Sequence, residues 1–374
     1  MAEKYLGESI KNLGFGLMRL PMKGDEIDME QTKRMVDAFM AKGFTYFDTA
    51  YVYIGGKSEV ALKEAVVDRY PRDSFQCATK LPLWDLKDPG EMEKIFQESL
   101  DRAGLEYYDF YLLHALSAER EKQADELGAW DFMKNAEGGG PGQAHRLLLP
   151  RHRRGVGAHP AEPSGDGVCT SCRSTMWTGR ARASSPASAM RWPASTTSPS
   201  SSWSRYGAGP WPLCRPRCRR SLKKAEPEMS VASWAIRYAA SLNGLITVLS
   251  GMSTEEQLND NVSYMENFQP LNEAERATVQ QVVDILNSLP TIPCTACKYC
   301  VDGCPQKINI PGVFKAMNDL TLYNNKANAQ RDYNNATSEG GKAGDCVQCG
   351  ACEAHCPQKI QIIETLKKAA QTFA

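Results

Sequence analysis

Eight cysteines near the C-terminus carry the densest chemistry in the sequence: Cys294, Cys297, Cys300 and Cys304 before Pro305, then Cys346, Cys349, Cys352 and Cys356 before Pro357. Each run reads C-x2-C-x2-C-x3-C-P. Gaps of two residues let three thiolates converge from one tight loop, and the proline after the fourth turns the chain away. Soft thiolate donors in this number and spacing suit two iron-sulfur cubanes. Zinc is the competing metal, but its sites show paired C-x2-C knuckles rather than a triple run repeated with proline. Disulfides belong to oxidising compartments, and the residues after Met1 lack the apolar core of a secretory signal.

A second set of residues could move a proton: Asp48, Tyr53, Lys80 and His114. A phenol with a pKa of about 10 is a weak acid at neutral pH, and a neighbouring ammonium would strengthen it. Tyr53 would be the general acid, Lys80 the ammonium, Asp48 its holder, and His114 the group that orients a carbonyl. Taken singly, these residues read better as a strand-end cap, a packed tyrosine, a surface amine and a satisfied core histidine; together they favour catalysis.

The elements around them argue for one site. Strand patterns at 13–19, 44–49, 75–80 and 108–114 alternate with helical patterns at 29–42, 58–68 and Glu91–Ala103. This rhythm predicts a parallel sheet, continued as an eight-stranded α/β barrel. In a barrel the strand ends share one mouth. Asp48, Lys80 and His114 close the second, third and fourth strands there, and Tyr53 lies in the loop after the second.

The segments Leu13-Gly-Phe-Gly16, Phe47-Asp-Thr-Ala-Tyr-Val-Tyr53, Gly56-Lys-Ser-Glu59, Ala78-Thr-Lys80 and Tyr111-Leu-Leu-His114 resemble the aldo-keto reductase family, whose Asp, Tyr, Lys and His tetrad matches all four positions. With the cysteine runs, the chain is similar to the bacterial subfamily that ends in a two-cluster ferredoxin-type domain. The resemblance implies a (β/α)8 TIM barrel over 1–265, a connecting helix and linker over 266–293, and a small helical, ferredoxin-like domain over 294–374. It implies reduction of an aldehyde or ketone by hydride from NADPH or NADH. In a ferredoxin module the fourth cysteine of each run serves the other cluster. Cys294, Cys297, Cys300 and Cys356 would hold one [4Fe-4S] cluster, and Cys346, Cys349, Cys352 and Cys304 the second.

Between residues 138 and 221 the composition breaks. The stretch holds thirteen Arg and no Lys, only Glu162 and Asp166 as acids, and no Ile, Phe or Asn. The βα rhythm disappears. One reading is a basic, disordered insertion, even a nucleic-acid arm. The preferred one is translation out of frame: permitted codons read one or two bases late give H-I-G-F-S-F-H-D and Y-V-D-W-E, in order, with the rhythm restored. Strands five to seven of the barrel would then be lost from the chain as written, exposing edges and core, and that chain is expected not to fold into an active reductase. Cys169, Cys172, Cys214 and Cys218 would carry no function.

Sense returns at Leu222, with a helix expected at 229–242 and a last strand at 245–249. The loop Ser250-Gly-Met-Ser253 with Gln257 and Asn261 resembles the family's site for the cofactor's adenosine phosphate, which makes Gly251, Met252, Gln257 and Asn261 the cofactor-binding candidates. Gln257 stands where that family often has an Arg. Further helices are expected at 273–289, Ile310–Tyr323 and 362–373, the last over the second cluster. Cys304-Pro-Gln-Lys-Ile308 is echoed by Cys356-Pro-Gln-Lys-Ile360, an internal duplication. The formal charge of zero gives no hint of nucleic acid or membrane as partner, and no apolar run spans a bilayer. The expectation is a cytoplasmic protein with a small carbonyl substrate and, through its clusters, a redox partner protein. An electron-transfer protein with a non-catalytic barrel is the alternative.

Overall fold

The structure, a computed structural model, describes residues 10–115, 118–137, 200–203, 216–242 and 245–373. The chain divides into two compact units, Met1–Gly209 with Glu228–Arg276, and Pro210–Pro227 with Ala277–Ala374.

The first unit is a parallel sheet with helices packed on it. In chain order come β1 (Leu13–Gly16), a small antiparallel hairpin of β2 (Met22–Lys23) and β3 (Glu26–Ile27), α1 (Met29–Ala41), β4 (Tyr46–Asp48) and α2 (Lys57–Leu62). Then follow β5 (Gln76–Leu81), α3 (Glu91–Ala103), β6 (Phe110–Leu113), α4 (Ala118–Glu126) and α5 (Ala129–Glu137). After the composition break come β7 (Ser200–Trp203), then α6 (Pro216–Ala225), which belongs to the second unit, and α7 (Val231–Ala240), β8 (Leu245–Gly251) and α8 (Glu255–Met265). The six long-range strands pair in the order β6-β5-β4-β1-β8-β7, all parallel.

This is the first half of the expected barrel joined to its last strand. Among the described residues β6 and β7 are sheet edges, so the ring is not closed there. One correction concerns the stretch expected to lose three strands. Ser200–Trp203, inside it, pairs with β8 in the place of a seventh strand, and α6 begins within it at Pro216. The rest of that stretch, with the out-of-frame reading and Cys169, Cys172 and Cys214, lies outside the described residues.

Local chemistry accounts for the element ends. Asp28 caps α1 by accepting the Gln31 N–H at 3.1 Å, and the left-handed Gly43 turns the chain back toward the sheet. Glu91 and Glu93 suit the positive start of α3, which stops at left-handed Gly104. The helix expected over 58–68 is α2 followed by a wider π-type turn at Lys63–Val67.

The sheet is buried on both faces, as a parallel sheet must be. One face packs on the helices through a cluster that includes Phe15, Phe39, Phe44, Phe47 and Phe75. On the other, Ile10, Tyr46, Ala78, Phe110, Leu112 and Leu249 form a separate cluster, the layer that fills a barrel interior. Successive strand residues alternate faces. Asp48, Lys80 and His114 therefore share the inner face with Tyr46, Ala78, Phe110 and Leu112.

The second unit is helical. It contains α6, most of α9 (Glu273–Asn287), then α10 (Ile310–Tyr323), α11 (Lys326–Ala336), the short α12 (Ala351–Ala354) and α13 (Ile362–Thr372). Its core joins Ile308, Ile310, Val313, Phe314, Tyr333, Leu366 and Phe373 with the buried Cys300 and Cys352. No helix among the described residues is long and apolar enough to cross a membrane.

Candidate functional site

Asp48, Tyr53, Lys80 and His114 meet at the C-terminal rim of the sheet. Asp48 ends β4 and is in register with Gly16 and Ala78, while Lys80 on β5 is in register with Leu112. His114 follows β6 directly, its N–H donating to Leu81 O at 2.9 Å. Tyr53 sits in the turn between β4 and α2, which the left-handed Ile54, Gly55 and Gly56 make possible.

Lys80 Nζ donates to Asp48 Oδ1 at 2.6 Å and to Thr49 O, and lies 4.6 Å from the centre of the Tyr53 ring. Tyr53 and His114 meet edge to face with ring centres 5.5 Å apart. Burial pushes the Asp48 carboxyl up to about 6 against the pull of Lys80, and pushes Lys80 down to about 8 against the pull of Asp48. Both shifts say that desolvation outweighs mutual attraction. Asp48 Oδ2, buried and without a hydrogen-bond partner among the described residues, contributes to that penalty. Burial, then the charges of Lys80 and Arg120, drive His114 down to about 3, so its imidazole is neutral at working pH.

Behind the strands, Thr49 and Ser58 share a hydrogen bond of 2.7 Å and Ser58 donates to Leu17 O at 3.0 Å. Thr79 donates to the fully buried Glu59 at 2.7 Å. These contacts fix α2 against the strand ends that carry Asp48 and Lys80. Trp84 and Arg120, which sequence reasoning did not single out, complete the rim: Trp84 lies 4.9 Å from His114 between ring centres, and the Arg120 guanidinium 4.5 Å from the Trp84 ring. Neither residue sits at a strand end, so no pattern marks them.

The expected cofactor loop leaves β8 at the same rim. Gly16 and Gly251 are in register on adjacent strands, and a Cβ at Gly251 would press on the Arg19 stem at 3.3 Å. Thr254 caps α8, and the Ser253 N–H donates to Gln257 Oε1 at 2.8 Å. Asn261 is buried, donating to Ser250 Oγ at 2.9 Å and accepting from Tyr264 Oη at 2.5 Å. Met252 is buried too. Asn261 and Met252 thus shape the loop from within.

In the second unit Cys304 lines one cavity with Cys346, Cys349 and Cys352. Its walls include Ile308, Ile310, Ile363 and Leu366, the last two from α13, the terminal helix. At the other run, burial raises the Cys294 thiol and its neighbours Cys297 and Cys356 raise it further; burial pushes Cys300 up to about 11. The Cys356 charge thus reaches Cys294 of the first run, while Cys304 lines the cavity of the second. Four thiols around an apolar concavity suit an iron-sulfur cluster. Among the described residues no three His, Cys, Asp or Glu side chains converge as a single-ion site.

The duplication extends into the backbone. From Cys294 to Cys346 is a step of 52 residues, and the same step relates the left-handed Ala296, Lys298 and Lys307 to Gln348, Gly350 and Lys359. It also relates the start of α10 to that of α13. Lys307 N donates to Cys304 O at 3.0 Å just as Lys359 N donates to Cys356 O at 3.0 Å.

Comparison with known proteins agrees with this picture. The model of the aldo/keto reductase family matches residues 12–138 and 175–284, and that of a 4Fe-4S dicluster domain matches residues 293–361. The chain is 32% identical over 123 residues to an aldo-keto reductase of Mycobacterium sp. (strain MCS), covering 33% of this chain and 40% of that protein. It is 31% identical over 140 residues to an NAD/NADP-dependent indole-3-acetaldehyde reductase of Schizosaccharomyces pombe, covering 36% and 46%. The alignments span less than half the length of these curated relatives. Its fold is similar to that of the thermostable aldo-keto reductase Tm1743, solved with the inhibitor epalrestat, with a TM-score of 0.55 at 16% identity over 75% of this chain and 98% of that one. The chain belongs to the aldo/keto reductase family and carries a C-terminal 4Fe-4S dicluster domain.

Proposed function

We propose that the protein reduces an aldehyde or ketone by hydride transfer from NADPH or NADH, and that its C-terminal cysteines hold two [4Fe-4S] clusters in crossed ligation. The observation that carries the first part is the buried Lys80–Asp48 pair set against the Tyr53 ring beside a neutral His114. A bound reduced nicotinamide supplies the hydride. Tyr53 Oη gives the proton to the developing alkoxide, and the Lys80 ammonium stabilises the phenolate left behind. Asp48 keeps that ammonium in place and charged. His114, as a hydrogen-bond donor, orients the carbonyl oxygen toward Tyr53. Gly16, Gly251 and the Ser250–Ser253 loop would accommodate the cofactor's phosphates, with Gln257, Asn261 and Met252 holding the loop's shape.

Cys294, Cys297, Cys300 and Cys356 would hold one cluster and Cys346, Cys349, Cys352 and Cys304 the other. Clusters pass single electrons, whereas hydride carries two, so the clusters serve an outside redox partner or brace the second unit. The two sheet edges among the described residues favour a second reading, an iron-sulfur electron carrier whose barrel does not catalyse. The deciding experiment uses full-length protein expressed from the resequenced gene. Aldehyde-dependent oxidation of NADPH or NADH that falls by about 100-fold or more in Tyr53→Phe supports the reductase. Iron-loaded protein with no such oxidation supports the carrier.

A further inference from the structure

We infer that Arg102 is a positioning residue for Tyr53: from the last turn of α3, its guanidinium sets where the phenol stands. The inference deepens the reductase reading and rests on it. Tyr53 lies in a turn of unusual backbone. Ile54, Gly55 and Gly56 follow it with φ of 53°, 62° and 88°, and Ile54 is β-branched, a residue type that the left-handed region strains. Such a turn persists only where its surroundings fix it. Arg102 touches it on both sides of Tyr53. Nη1 donates to Tyr51 O at 3.2 Å, two residues before, and a Cβ on Gly56, three residues after, would come within 3.1 Å of the same nitrogen. The glycine at 56 thus answers two demands, a positive φ and the space that the guanidinium takes.

The guanidinium is itself held from several directions. It stacks on the Tyr51 ring at 4.1 Å, and Nη2 lies 3.6 Å from Glu98 Oε2, the same oxygen to which Tyr51 Oη donates at 2.7 Å. Nη1 lies 3.4 Å from Glu59 Oε2. Glu59 is fully buried, so its carboxylate needs a cation and donors close by. Its other oxygen accepts from Thr79 Oγ1 at 2.7 Å, one residue before Lys80 on β5. One connected set of contacts therefore runs from the turn of Tyr53, through Arg102 and Glu59, to the strand of Lys80. The proposed proton transfer depends on how these two groups stand to each other, now 4.6 Å from ammonium to ring centre. A lysine at 102 would keep a cation for Glu59, but a single ammonium cannot stack on Tyr51 and also reach Tyr51 O, Glu59 and Glu98.

The test is a double-mutant cycle of Arg102→Lys with Tyr53→Phe, in full-length protein from the resequenced gene, with benzaldehyde and para-carboxybenzaldehyde as substrates. In the presence of the Tyr53 hydroxyl, Arg102→Lys should lower kcat by about tenfold and leave the aldehyde KM within about twofold, because what is lost is placement of a group that acts in the transition state. In the Tyr53→Phe background the same change should cost less than about twofold, since no hydroxyl remains to be placed. Equal losses in both backgrounds mark a general structural role and overturn the inference, as does an unchanged kcat. Arg102→Gln, read in the same cycle with the same expectations, decides if Arg102→Lys does not fold. If the unaltered protein reduces neither aldehyde, the reductase reading itself has failed, and the placement of Tyr53 is read directly by magnetic resonance of protein made with carbon-13 tyrosine. The Tyr53 signal, identified by its loss in Tyr53→Phe, comes from a ring that faces His114 edge-on at 5.5 Å, so small displacements change it. It should move in Arg102→Lys while those of Tyr264 on α8 and Tyr333 on α11 stay. A Tyr53 signal that does not move overturns the inference.

Discussion

Lys80 Nζ and Asp48 Oδ1 lie 2.6 Å apart, with only 2% and 1% of the two side chains exposed. The pair is ionised only in a window, because burial has moved the carboxyl up to about 6 and the amine down to about 8. As pH falls through the lower value Asp48 takes up a proton and Lys80 loses its counter-charge. As pH rises through the upper value Lys80 loses its own proton. The expected profile of kcat/KM for aldehyde reduction is therefore a bell with limbs near about 6 and about 8. In Asp48→Asn the Lys80 charge is buried without its partner. That variant should lose about 3–5 kcal/mol of stability in urea unfolding, and its upper limb should move to lower pH.

Crossed ligation makes a prediction that simple ligation does not. Cys304 lines a cavity together with Cys346, Cys349 and Cys352 of the second run. Cys304→Ser should therefore disturb the cluster held by Cys346, Cys349 and Cys352, leaving about half of the iron in place. Paramagnetic resonance of the reduced protein should show the remaining centre perturbed in the same way by Cys297→Ala and Cys356→Ser. A Cys304→Ser signal that matches loss of the first run's centre would contradict the pairing.

The approach of the two runs depends on two glycines. A Cβ on Gly340 would overlap Lys307 O, and one on Gly341 would overlap Gln306 O, both just after Cys304. Gly341 also donates its N–H to Gln306 O at 3.0 Å. Gly341→Ala should force the segment after Cys304 away from the second run and cost about 1–3 kcal/mol. The checks are a lower thermal midpoint and faster loss of iron to a chelator. Gly303→Ala, where nothing lies within 4 Å of the added carbon, is the matched control with little change expected.

Much of this site was legible in the residues because its chemistry sits at element ends. Asp48, Lys80 and His114 lie at or just past the ends of short strands that are buried on both faces, and the helices Glu91–Ala103 and Ile310–Tyr323 have the bounds read from the sequence, ending before left-handed Gly104 and Asn324. The hairpin of β2 and β3 was missed because two-residue strands about Gly24 carry no periodicity. The π-type turn at Lys63–Val67 has no breaker residue to announce it. Trp84 and Arg120 escaped notice because their meeting depends on how the turn Leu83–Asp85 and the first turns of α4 come together, which local sequence does not encode. Loss of strands five to seven follows in the sequence from the composition break, the vanished βα rhythm and the out-of-frame codons, and the short pairing of Ser200–Trp203 with β8 shows that a parallel edge can recruit even a Ser-rich segment through its backbone.

The composition break makes its own prediction at the level of the gene. Resequencing across the codons for residues 134–224 should reveal a few single-base corrections that restore H-I-G-F-S-F-H-D and Y-V-D-W-E. An unchanged nucleotide sequence would leave the basic stretch real and move the functional weight to the cluster domain.

The most direct test of the reductase site is isotope transfer by full-length protein from the resequenced gene. NADPH or NADH deuterated at its hydride-donating position is mixed with para-carboxybenzaldehyde, and the alcohol is weighed by mass spectrometry. The site predicts one deuterium on the carbinol carbon, formed about 100-fold or more slowly by Tyr53→Phe. Unlabelled alcohol, no alcohol from a folded, iron-loaded protein, or labelled alcohol formed equally fast without the Tyr53 hydroxyl would contradict it.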